Sequence, residues 1–251
     1  MKKDLLPCLL LSLILVSFGC KKNDDIQKIN VKQGTYFLSN TVYYEAPTLY
    51  TNQGSTADRN IIGGVLKYWA YGKSWPDFFG EDFPEKLLHD FKQYTGTQTL
   101  EEPPGNSILK ILPGPIALFI HFPSLKDTVI CDIAANKDGT YTLINRDSSN
   151  FYGSGCSGLE IAMLNTAGFR RYTINSASQE ILTYRGRNQF LIDIKDGQIE
   201  LHVADLFIYS SGSCWKFTSN TPKRYSPPDV KLLEVADTIL LQNKKFVYRQ
   251  Q

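Results

Sequence analysis

The residues able to do chemistry in this chain are few and scattered. His89, His121 and His202 stand far apart, with no H-x-H or H-x-x-x-H pair and no C-x-x-C. No metal-ligand set is legible and no cofactor is implied. Gly153-Ser154-Gly155-Cys156-Ser157-Gly158 spells G-x-G-x-x-G, but dinucleotide binding needs that turn between a strand and a helix of a β-α-β unit. Its flanks read as antiparallel strands, so a loop holding a cysteine explains the glycines better. There is no G-x-S-x-G nucleophile elbow. Carboxylates gather at Asp77, Glu81, Asp82 and Glu85. A polysaccharide hydrolase would need two of them facing each other across about 5 to 10 Å, and Asp82 and Glu85 already have the spacing of a helix capping box.

The most suggestive group is aromatic. Tyr68, Trp69, Tyr71, Trp75, Phe78, Phe79 and Phe83 follow one another closely, interleaved with Gly72, Lys73, Asp77 and Gly80. Flat rings offer apolar faces to sugars while polar neighbours hydrogen-bond the hydroxyls. Trp69, Tyr71 and Trp75 are therefore the candidate ligand-binding residues, for a glycan or a partner surface. The competing role for these rings is structural, covering a helix and closing one end of a β domain.

The elements that must position these residues can be read from periodicity. Residues 34–44 are dense in Tyr, Thr, Val and Phe and read as strand. Over residues 82–96, Leu87, Leu88, Phe91 and Tyr94 share a helical face, Pro84 lies in the first turn and Gly96 stops the pattern, which predicts one amphipathic helix. Residues 101–107, with Pro103-Pro104-Gly105, form a turn-rich link. From 108 to 217 the chain reads as strands and turns, with two Asp-Gly hairpins at Asp138-Gly139 and Asp196-Gly197. Each incoming strand ends in Asp-Ile, and Cys156 and Cys214 follow their turn glycines at the same interval. That spacing suggests duplicated three-stranded meanders at 116–156 and 179–214. Residues 219–229, with Pro222, Pro227 and Pro228, read as a linker, and short strands are expected at 231–235, 238–241 and 245–248. The expected fold is mainly β, an antiparallel β-sandwich or jelly-roll-like domain with one amphipathic helix. A calycin-like β-barrel is the alternative.

The amino terminus supplies an address. Lys2 and Lys3 precede an apolar stretch from Leu5 to Val16, and Ser17-Phe18-Gly19-Cys20 follows. About 12 apolar residues are too few to span a bilayer, so the segment reads as a targeting signal. Gly19-Cys20 resembles the lipobox of bacterial lipoproteins, although Phe18 is bulkier than the residue such sites prefer. The resemblance is confined to this segment. It implies a signal peptide at 1–19, acylation of Cys20, a lipidated tether at 20–33 and a single β-rich domain at 34–251. Lys21 after the cysteine points to the outer membrane, and the charged run Lys21-Lys22-Asn23-Asp24-Asp25 resembles the tether of Bacteroidetes-type surface lipoproteins. The expected partners are the membrane, through the lipid anchor, and a glycan or an envelope protein. Lys and Arg total 27 against 25 Asp and Glu, a balance that excludes nucleic acid as a partner. Export also places the cysteines where disulfides persist. Cys131, alternating with Val129 and Ile133, is expected as a buried thiol, and Cys156 is expected to pair with Cys214.

Overall fold

The computed structural model describes residues 31–71, 96–99, 106–121, 128–152, 170–175, 180–210, 214–221, 233–235 and 237–251. In chain order these form β1 (Gly34–Tyr44), β2 (Thr48–Thr51), β3 (Gly54–Thr56), α1 (Arg59–Tyr71), β4 (Gly96–Thr99), β5 (Ile108–Leu112) and β6 (Ile116–Ile120). Then come β7 (Val129–Ala135), β8 (Tyr141–Tyr152), β9 (Arg170–Asn175), β10 (Glu180–Lys195), β11 (Gln198–Ser210), β12 (Cys214–Thr221) and β13 (Thr238–Gln250).

Alternate residues along most strands are apolar and buried: Leu109 and Ile111 on β5, Ala117 and Phe119 on β6, Cys131 and Ile133 on β7, Phe190 and Ile192 on β10. Strands with one apolar face must stack as two sheets or roll up on themselves. These roll up. Antiparallel pairing runs β1, β5, β6, β7, β8, β10, β11, β13, and β13 returns to β1 through Leu38↔Tyr248 and Val42↔Phe246. The expected sandwich or jelly roll thus gives way to a closed eight-stranded barrel, the alternative reading. The physical reason is that β11 pairs with both β10 and β13, which removes the edge a sandwich would leave.

An eight-stranded barrel is just narrow enough for side chains to fill. The Phe119 ring of β6 lies 4.9 Å from Phe190 of β10 and 6.3 Å from Tyr248 of β13, centroid to centroid. Rings from three separated strands therefore meet inside and plug the barrel at that level. The Tyr248 hydroxyl is 2.8 Å from Ser107 Oγ, and burial raises its pKa. Cys131 is fully buried and free, as expected. Burial, reinforced by the adjacent Asp132 charge and opposed by Arg146, pushes its thiol up to about 12. The outer wall carries charge instead: Asp132 and Arg146 are nearly half exposed, and Arg249 is exposed too. A lipid-facing barrel wall excludes such groups.

The two ends of the barrel differ. At one end the strands are joined by residues 113–115, 136–140 and 196–197 alone. Gly114, Gly139 and Gly197 hold φ of 80°, 86° and 75° there, the left-handed region that tight turns require. Gly34 and Gln250, beginning and ending the ring, lie at this closed end as well. The other successive ring strands, β1 and β5, β6 and β7, β8 and β10, β11 and β13, have their connected ends at the opposite, open end.

Two further expectations change. The tail is one strand, β13, rather than short strands at 238–241 and 245–248, and residues 233–235 are not strand. The polar run Gln242-Asn243-Lys244-Lys245 looked like a break because two of its members, Gln242 and Lys244, are buried on the inward face. Residues 219–221 belong to β12 rather than to a linker. The helix expected over 82–95 lies outside the described residues, and Gly96 opens β4.

Candidate functional site

At the open end, β11 and β13 outrun the ring and pick up new neighbours. β11 pairs with β12 from Ala204 to Ser210, and β13 pairs with β2 from Thr238 to Leu241. On the other side β10 extends to pair with β9 and the end of β8. The barrel mouth is thus flanked by two flared sheets, a rigid rim of the kind on which binding residues are carried.

Just where the ring gives way to the flare, Lys244 Nζ lies 2.7 Å from Asp205 Oδ2. Asp205 is fully buried and the lysine side chain is 7 % exposed. The ammonium stands 5.9 Å from the Tyr44 ring and 5.8 Å from the Phe246 ring, where aromatic faces attract a cation. Adjacent backbone is tied down by Gln242 Nε2 donating to the Glu45 carbonyl at 3.1 Å and Asn243 Nδ2 donating to Glu45 Oε2 at 3.0 Å. This floor is a fixed electrostatic structure.

The outer face of the same wall holds a second network. Asp193 Oδ2 is 2.8 Å from His202 Nε2 and 3.1 Å from Lys245 Nζ, which also reaches Glu200 Oε2 at 2.9 Å. Burial works against the Asp193 charge, but the hydrogen bonds and charges of His202 and Lys245 outweigh it and hold the carboxyl below its ordinary range. Burial likewise opposes the Lys245 charge, and Glu200 with Asp193 overcomes it, raising the ammonium above its usual value. Asp193 is shared between His202 and Lys245, and Lys245 bridges Asp193 to Glu200, so this network ties β10, β11 and β13 together.

On the rim, the β2–β3 hairpin frames a cavity of about 210 Å³ lined by Leu49, Thr51, Gln53, Gly54, Ser55 and Thr56. That is smaller than the roughly 300 Å³ at which small-molecule pockets begin. Helix α1 follows directly. Asp58 Oδ1 accepts from the backbone N–H of Asn60 at 2.8 Å and of Ile61 at 3.2 Å, an N-cap worth about 1 kcal/mol. Ile62 and Leu66, one turn apart, are fully buried and seat the helix. The opposite side shows Ile61 at 52 % and Tyr68 at 58 % exposure, with Gly64 open between them.

Trp69 and Tyr71, two of the candidate ligand-binding residues, fall in the last turn of α1. By helical spacing the Trp69 position follows Ile62 and Leu66, whereas the Tyr71 position follows Gly64 and Tyr68. Cys214 opens β12 opposite Ser210. Cys20, Trp75, Cys156 and the carboxylates Asp77, Glu81, Asp82 and Glu85 lie outside the described residues. Sequence reasoning missed α1 because Gly63-Gly64 weakens the helical signal, each Gly costing about 1 kcal/mol relative to Ala. Asp58 ahead of Ile62, Leu66 and Trp69 was the usable clue. Asp205 and Lys244 were missed because nothing local marks two charges as partners across strands. Among the described residues no cluster of His, Cys, Asp and Glu is arranged to hold a metal ion, and no helix is long and apolar enough to cross a membrane. No protein-family model, curated protein or solved structure matches the chain.

Proposed function

We propose that this chain is a lipid-anchored envelope protein with a calycin-like barrel, and that it binds a glycan or a partner protein without catalysis at its open end. The observation that carries the reading is the asymmetry of the barrel. One end is closed by tight turns, while the other gathers the long connections and a helix with solvent-exposed Ile61 and Tyr68. Phe119, Phe190 and Tyr248 pack together inside the barrel, and the rim beyond them carries the exposed groups on which the reading rests. Exposed Tyr68 is the aromatic centre of the proposed surface, and the candidates Trp69, Tyr71 and Trp75 follow it in sequence.

Co-sedimentation of the mature chain with purified envelope polysaccharides, and crosslinking in intact cells, tests the binding. Tyr68→Ala is expected to weaken capture at least several-fold; capture unaffected by Tyr68→Ala and Trp75→Ala together overturns the assignment. The lipid anchor rests on the Gly19-Cys20 site. Mass spectrometry is expected to find an acylated Cys20 at the mature amino terminus, and Cys20→Ala to release the protein from membranes. The Cys156–Cys214 disulfide is tested by non-reducing peptide mapping, where the two peptides should run as one species until reduced.

A further inference from the structure

We infer that the flared β8–β10–β9 sheet at the open end carries a second binding surface, a cluster of arginines that takes the carboxylates of an acidic polysaccharide. The inference rests on the glycan-binding reading above and narrows it, since it names the charge of the glycan and a place for it apart from Tyr68. Arg185 and Arg187 are both exposed and alternate along β10 with buried Gly186, so they share one face. Arg185 Nε donates to Ser148 Oγ of β8 at 3.1 Å, which holds that guanidinium over the sheet. Arg187 stands opposite Ser148 in the same ladder. Neither arginine pairs with a carboxylate among the described residues. The outward acids of the adjoining wall are already taken, Asp132 by Arg146 at 2.8 Å and Asp193 by His202 and Lys245.

On the other side of β10 the register sets the Arg170 position of β9 directly opposite Arg185. Like charges directly opposite each other on paired strands work against folding, and an anion laid across them from solution offsets that cost. Arginine's planar fork suits carboxylate oxygens, and hydrogen bonds between ionised partners are about twice as strong as neutral ones. The three arginine positions lie about 5 Å apart across the ladder and about 7 Å apart along β10. Such a spread matches charges repeated along a chain better than a single small ion. On the same face, two places along from Arg185, the Tyr152 and Tyr172 positions flank Thr183 on its two neighbouring strands. Tyrosine beside arginine is the pairing of residue types that a charged sugar calls for, an apolar ring for its face and a cation for its acid group.

The experiment measures retention of the full chain on polygalacturonate and on the same polymer fully methyl-esterified, which keeps the sugars and removes the charge. The protein is expected to be held by polygalacturonate alone and released as salt rises. Arg185→Gln with Arg187→Gln should lower retention about tenfold or more, and Arg185→Lys with Arg187→Lys should keep part of it. Melting curves of both double variants should match wild type, because the two positions are exposed. Equal retention on the two polymers, or retention unchanged in the glutamine variant, overturns the arginine site. If Tyr68→Ala still weakens capture of envelope polysaccharide in that case, the reading of the rim stands without it. Retention on single-stranded DNA as strong as on polygalacturonate overturns the assignment to a glycan.

Discussion

The hairpins β7–β8 and β10–β11 use the same words to different ends. Each places an outward Asp on the incoming strand and a basic residue two places past its cross-strand partner: Asp132 opposite Ile144 with Arg146, and Asp193 opposite Glu200 with His202. In the first, the pair is exposed at 45 % and 46 % and has no third charge among the described residues. In the second, His202 is 6 % exposed and Asp193 is also held by Lys245. The turns diverge too. Asp196 and Gly197 both take positive φ, 51° and 75°, in a two-residue turn, whereas Asp138 precedes a single left-handed Gly139 in a longer one. The difference comes from the neighbouring strand. β11 lies against β13, which brings Lys245 to the Asp193 pair, and Leu206, Ile208 and Leu241 are buried on the outer face while Phe207 and Leu240 are buried on the inner. The β11–β13 part of this wall is buried on both faces beyond the ring, and the charges beside it are committed to structure.

The largest test of that contrast lies on the inner side of the thick wall. Asp205→Ala strands the Lys244 ammonium in a buried site and is expected to cost about 3 to 5 kcal/mol in denaturant unfolding. Asp205→Leu combined with Lys244→Met should recover most of it, because two buried charges are then replaced by apolar groups of similar size.

A smaller loss is expected from Asp193→Asn, about 1.5 to 3 kcal/mol, since two charge-assisted hydrogen bonds converge on that carboxylate. Its pH signature follows from the lowered pKa. The unfolded chain binds this proton more readily, so the stabilisation is complete above an ordinary Asp value of about 4 and is lost as pH falls through the lower folded value. Lys245 runs the other way. Its contribution is complete below an ordinary Lys value of about 10.4 and is lost as pH rises through its raised one. Melting temperature against pH should therefore fall at both extremes, and Asp193→Asn should flatten both limbs.

On the thin wall, Asp132→Asn is expected to cost no more than about 1 kcal/mol, with the difference from wild type shrinking further in high salt. A cost matching that of Asp193→Asn would show that burial is not what separates the two hairpins. Smallest of all, Tyr68→Ala should change stability by less than about 0.5 kcal/mol while weakening binding at the rim. A drop of several kcal/mol would instead make Tyr68 part of the core.

Much of the barrel was visible before folding. The turns at Asp138-Gly139 and Asp196-Gly197, the strand at 34–44 and the buried thiol of Cys131 all follow from alternation and turn chemistry, which are local properties. The same locality limited the reading of the site. It divided β13 at Gln242-Asn243-Lys244-Lys245 and overlooked α1 behind Gly63-Gly64, the helix that carries Trp69 and Tyr71.

From sequence alone, then, came the β character and the hairpins, each written in neighbouring residues. Only the tertiary structure decided that the sheet closes, because ring closure depends on β13 meeting both β1 and β11 across long stretches of chain. It also decided which charges are partners. Asp205 and Lys244 lie 39 residues apart, and a cross-strand contact carries no sequence period, so strand pairing in the closed barrel joins them where local pattern could not.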